Sequence, residues 1–161
     1  MKNTRTNPRS MEKPVENHTE QKIDNMQSAL RGEISAVEAC EKVLKALDSS
    51  PERIRLQEFI DDHKMARDYW AKEVNSEMVT PEDDSGVWGL FVKSFTGSAT
   101  LFGNSTALAA LKRGVEYGHN FYKDMLEDTT LDPAHRNMIK NTFIPRQQKQ
   151  LISVEAMRQM Q

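Results

Sequence analysis

The chain has 161 residues, 37% of them hydrophobic and 29% charged, with a formal net charge of −2. That length suits one domain of ordinary size, and the near-balanced charge supplies no basic field for binding nucleic acid. A single cysteine, Cys40, excludes an intramolecular disulfide and a thiolate zinc cluster.

The chain opens MKNTRTNPRSMEKPVENHTEQ. This stretch lacks the apolar core of a signal peptide. Its prolines, asparagines and mixed charge predict a disordered arm over residues 1–17, ahead of a folded domain over 18–161. No uninterrupted apolar run reaches the roughly 18 residues of a membrane span, so a cytoplasmic location is the expectation.

From about Thr19 to Leu47, apolar residues recur at Ile23, Met26, Leu30, Val37, Cys40, Leu44 and Leu47. Steps alternating between three and four predict one helix with a buried seam. Glu33 occupies the one polar position of that seam. Ser50 then offers a cap and Pro51 a first helical position. A second helix is predicted to about Met78, with Leu56, Phe59 or Ile60, His63, Ala66, Trp70 and Val74 in its seam. Again a polar residue, His63, stands at the centre.

Thr80 to Ser85 reads as a loop. Beyond it, Trp88, Phe91, Phe95 and Phe102 share one stripe of a short, glycine-softened helix. Two readings fit that stripe: packing of the segment on the bundle, or a subunit interface, where aromatic residues are enriched. Adsorption to a membrane surface is a weaker third reading, because Lys93 alone supplies basic charge there.

Asn104 or Ser105 can cap a third helix with Leu108, Leu111, Val115, Gly118, Tyr122 and Met125 in its seam, ending near Asp128. Asp132-Pro133 repeats the cap-plus-proline signal. The fourth helix carries Ile144, Gln147, Leu151 and Val154, and Pro145 inside it predicts a kink. His18 and His135 read as terminal or loop residues, and Cys40 as a small buried hydrophobe.

The halves resemble each other. Ser50-Pro51 and Asp132-Pro133 stand at the same separation as Arg31-Gly32 and Arg113-Gly114, and Phe59-Ile60 and Phe143-Ile144 follow in the same order. A helical-hairpin repeat is the expectation. Short turns make the helices of each hairpin antiparallel. The link from Met78 to Asn104 is long enough to run a bundle of roughly 40 Å. The predicted fold class is therefore all-α: two helical hairpins joined by a long crossover that carries a short helix.

Two hairpins, a long crossover and a Glu and a His in the core seams resemble the ferritin-like superfamily. More narrowly, RGEISAVEACEKVL and KRGVEYGHNFYKDML resemble segments of a bacterial four-helix-bundle branch of unknown function. The resemblance covers roughly Gln21 to Gln161. It implies, for a di-iron member, a Glu on helices one and three and Glu-x-x-His on helices two and four. Glu33 and His63 match that pattern. The remaining positions fall on Val115, Ile60, Ile144 and Gln147, which departs from it, so a di-iron oxidase or ferroxidase is disfavoured.

Glu33, His63 and Gln147 are expected at one level of the bundle. They read either as a buried polar layer, with His63 between Glu33 and Gln147, or as a site for one transition-metal ion. Glu116 and His119 share a helix face and flank the seam, as a solvated pair or, after a shift of register, as ligands. No phosphate loop, nucleophile elbow or His-Glu-x-x-His is present. The leading expectation is a non-catalytic module without a cofactor, acting as a homodimer or with a protein partner. The alternative is a stress-related protein holding iron, manganese or zinc through Glu33 and His63.

Overall fold

A computed structural model describes residues 13–48, 50–86 and 103–160. Every regular element among them is helical: α1 (Lys13–Ala46), α2 (Ser50–Ser76), α3 (Asn104–Glu127), α4 (Pro133–Met138) and α5 (Ile144–Gln159). A π-helical segment, Ile139–Phe143, joins α4 to α5 as one continuous fourth rod. The four long periodic segments of the sequence thus appear as four rods. Trp88, Phe91, Phe95 and Phe102 lie outside the described residues, as does the short helix expected there.

α1 starts at Lys13, earlier than the apolar seam, because the seam marks where a helix is buried rather than where its backbone bonds begin. α3 is not capped by Asn104 or Ser105. Gly103 takes the N-cap position at φ 88, a left-handed backbone that glycine adopts freely, and no side-chain cap bond forms. Asp132 does cap α4: its carboxylate accepts from the Ala134 N–H, and Pro133 follows at the first position. The disturbance expected at Pro145 appears as the π-helical segment just before it. There the Ile144 N–H reaches back to the Ile139 carbonyl, a wider turn than the α-helical one.

Both hairpin turns are closed alike. The Arg53 guanidinium donates to the Leu44 and Leu47 carbonyls, and Arg136 donates to those of Leu126 and Asp128. In each case an arginine of the following helix satisfies the unpaired carbonyls at the end of the preceding one, where the helix dipole also favours a cation.

Two apolar clusters fill the interior. One joins Val37 to Leu47, Leu56 to Ile60, Ala107 to Val115, and Val154 with Met157. The other joins Met26 to Leu30, Ala66 to Val74, Tyr122 with Met125, and Ile139 with Phe143. The C-terminal half of α1 therefore meets the N-terminal halves of α2 and α3 and the end of α5. It follows that α1 runs antiparallel to both α2 and α3, α2 and α3 point the same way, and the fourth rod runs with α1.

After α2 the chain turns at Met78, whose φ is 58, and lies along α1. Gln27 bonds the Thr80 carbonyl and the Glu82 N–H, Arg31 pairs with Glu82, and the Ser85 hydroxyl donates to Glu38. The segment thus advances in the direction of α1. Among the described residues no helix is long and apolar enough to cross a membrane.

Candidate functional site: a polar layer between two apolar clusters

The polar seam residues sit where the two clusters meet. Glu33, His63 and Gln147 are all buried, at 4%, 5% and 4% relative exposure. α1 supplies Glu33, α2 supplies His63 and Trp70, α3 supplies Tyr122, and α5 supplies Gln147. Each is there because its position continues the three-four seam of its helix, so the backbone aims it inward whatever its polarity.

Glu33 is the hub. One carboxylate oxygen, Oε2, lies 2.6 Å from Nδ1 of His63. The other, Oε1, accepts from the Tyr122 hydroxyl at 2.5 Å. The same hydroxyl accepts from the Trp70 indole at 2.8 Å. A chain of bonds therefore runs Trp70 to Tyr122 to Glu33 to His63, through three helices. The Trp70 and Tyr122 rings also stack, 20° from parallel with centroids 6.4 Å apart.

Burial is what makes this network consequential. An isolated buried carboxylate would be costly, and here each of its oxygens meets a donor group. Burial, the adjacent Glu33 charge and the bond donated to it hold the Tyr122 phenol well above its ordinary pKa. Tyr122 thus stays a neutral donor. Cys40, buried and close enough to feel Glu33 and then Glu41, is pushed up to about 12. Its thiol is a packing group rather than a nucleophile.

Gln147 reaches the layer but does not bond His63, so the expected order, with His63 between Glu33 and Gln147, is replaced by one with Glu33 between His63 and Tyr122. Among the described residues the Oε1 of Gln147 has no hydrogen-bond partner, nor does that of Gln150, a buried residue on the same rod. Val115, the repeat counterpart of Glu33, is buried in an apolar cluster. Its neighbour Glu116 is exposed and lies 3.9 Å from Lys112. His119 is half-buried, with Nδ1 unpartnered. Burial, and then the Lys123 charge, keep its ring below the ordinary histidine range. Glu116 and His119 therefore do not join Glu33 and His63.

Tyr122 and Trp70 were legible as apolar seam members, yet their polar ends complete the site. A Tyr and a Trp in seams beside a buried Glu are the available signal, since both need a partner when buried. His135, expected in a loop, is buried at 2% exposure on α4. It pairs with Glu73 at 3.0 Å and packs edge-on against Trp70.

As a metal centre the layer is short of ligands. Among the described residues no group of three or more His, Cys, Asp or Glu side chains lies together as a candidate cation site. A two-metal carboxylate site needs bridging carboxylates with free oxygens, whereas both oxygens of Glu33 are engaged. The donor set does not fit a di-iron group. Comparison with family models, curated proteins and solved structures returned no match to this chain.

Proposed function

We propose that this chain is a ferritin-like four-helix bundle whose central di-metal site has been replaced by a hydrogen-bonded polar layer, and that it acts as a non-catalytic structural or interaction module. The observation that carries this reading is the occupancy of Glu33: His63 on one oxygen, Tyr122 on the other. The parallel run of α2 and α3, and the path of residues 80–85 along α1, support a long crossover of the ferritin-like kind. The matching arginine closures of the two hairpins support the internal repeat.

In this role the layer sets register. It lies between two apolar clusters, so sliding a helix by one turn would strand a carboxylate among apolar side chains. The working surface then lies outside the bundle centre, against a second copy of this chain or another protein. The aromatic stripe of the 87–102 segment is the surface we propose for it. Changing Phe91 and Phe95 to Asp should lower the mass in solution by sedimentation without altering helicity. An unchanged mass places the interface elsewhere.

The metal question is answered by elemental analysis of the full chain, purified without chelator and then loaded with iron, manganese or zinc. The reading predicts much less than one ion per chain and no oxidation of ferrous iron. A stoichiometric ion that Glu33→Ala or His63→Ala removes would establish the metal-binding alternative instead.

A further inference from the structure

A cavity of about 70 Å³ opens between α1 and α3, directly against the polar layer. Its walls are largely apolar and include Ala36 and Cys40 on α1 and Ala110, Leu111 and Gly114 on α3. Small residues on facing helices leave space where larger ones would interlock. A stripe of small residues does not by itself make a site. Here a second feature accompanies it.

Two buried polar groups on the wall have no partner among the described residues. Gln147, 4% exposed, lines the cavity, and its Oε1 accepts no hydrogen bond. Ser35, 1% exposed, lines it too, and its hydroxyl is likewise unsatisfied. Native interiors rarely leave such groups unpaired. Gly118 also keeps the place of the Gln147 amide open, because a Cβ there would come within 3.1 Å of the amide nitrogen. A larger residue at position 118 would press on the Gln147 amide nitrogen.

The chemistry of the cavity narrows what could fill it. Glu33 faces it and disfavours an anionic head. An ammonium would have to be desolvated beside a Glu33 carboxylate that already meets two donor groups, a cost that a neutral ligand avoids. The unpartnered groups on the wall are the Gln147 amide oxygen and the Ser35 hydroxyl, which suit a neutral group able both to donate and to accept. The volume is roughly half of the ~150 Å³ hydrocarbon-lined cavity that admits benzene, which holds the ligand below benzene's six non-hydrogen atoms. We propose that this cavity is a binding site for a short, uncharged aliphatic alcohol. Its hydroxyl would bond Gln147 and Ser35, and its alkyl part would lie between Ala36 and Leu111. This goes beyond the structural reading above and does not depend on it.

The test is a titration of the isotopically labelled full chain with 1-butanol, followed by amide NMR. Saturable shifts are expected at the Gln147 side-chain amide and at Gly114 and Gly118. Butyrate and butylammonium should bind at least ten-fold more weakly. Gly114→Leu should fill the space and weaken 1-butanol at least ten-fold. It should also fold, since nothing among the described residues lies within 4 Å of a Cβ at that position and glycine is a poor helix former. Ala36→Met fills the opposite wall and serves as a second block. Gln147→Leu should cost several-fold in affinity while leaving the apolar contact. Shifts that never saturate, equal binding of butyrate, or binding that survives both filling variants would each overturn the assignment. A metal-free protein that ignores 1-butanol would lose this site alone, and a metal-loaded one that binds it would lose the structural reading alone.

Discussion

Glu33–His63 at the centre of the bundle and Glu73–His135 near one end are the same chemical pair, at 2.6 and 3.0 Å, in different settings. At the centre both side chains are 6% exposed, and the second carboxylate oxygen is held by Tyr122. At the end, His135 is buried but Glu73 is 27% exposed, and the other ring nitrogen of His135 has no partner among the described residues. Trp70 touches both, donating to Tyr122 on one side and meeting the His135 ring on the other. The difference teaches that a pair's importance follows from what remains of each group when its partner is removed. Water can replace His135 at Glu73. At Glu33 both partners are buried, so the loss of either leaves the carboxylate short of a donor inside the core.

The largest separation between the two pairs should come from deleting the hub. Glu33→Ala leaves His63 and Tyr122 buried without their acceptor, and should lower stability by about 3–5 kcal/mol in chemical denaturation. A loss below about 1 kcal/mol would mean that the central pair is no more constrained than a surface one. Tyr122→Phe comes next. It removes the donor to Glu33 and the acceptor for Trp70 while keeping the ring, and should cost about 1–3 kcal/mol. The corresponding change at the end pair, Glu73→Gln, should cost about 1 kcal/mol or less in the same measurement. If Glu73→Gln proves the more damaging of these two, the ranking of the pairs is reversed.

The smallest effect at neutral pH concerns Cys40. In the folded chain its thiol ionises near 12, against an ordinary value of 9.0. Between those values the unfolded chain releases a proton that the folded chain keeps, so rising pH favours unfolding. Cys40 thus contributes no pH dependence below about 9, and a stability loss that grows from there toward 12. Cys40→Ala should flatten the alkaline limb of a stability–pH curve and leave the neutral region nearly unchanged. Alkylation of Cys40 at pH 8 should require unfolding. Rapid labelling of the native chain would show the thiol to be accessible.

The central pair was legible in the sequence and the end pair was not, for a physical reason. Glu33 and His63 interrupt apolar seams of period three-four, and a helix fixes where such a position points. His135 follows a cap and a proline, with too little periodicity before it to orient it, so only tertiary packing against Tyr69 and Trp70 reveals its burial. The rods themselves were legible because their seams are long. The π-helical segment was not: a proline signals that the helix must adjust, but whether it kinks or widens depends on neighbours such as Phe143. Within the layer, identity was readable and connectivity was not. Gln147 sits at the expected level, yet Tyr122, read as an apolar member, takes the bond.

A double-mutant cycle between Glu33→Leu and Tyr122→Phe, read by chemical denaturation, measures whether protein donors close Glu33. Residues that share a buried bond should show a coupling of about 1–3 kcal/mol. That is the predicted result. A coupling within about 0.3 kcal/mol of zero would contradict it, because Glu33 would then owe nothing to Tyr122 and its second oxygen would be free for another ligand.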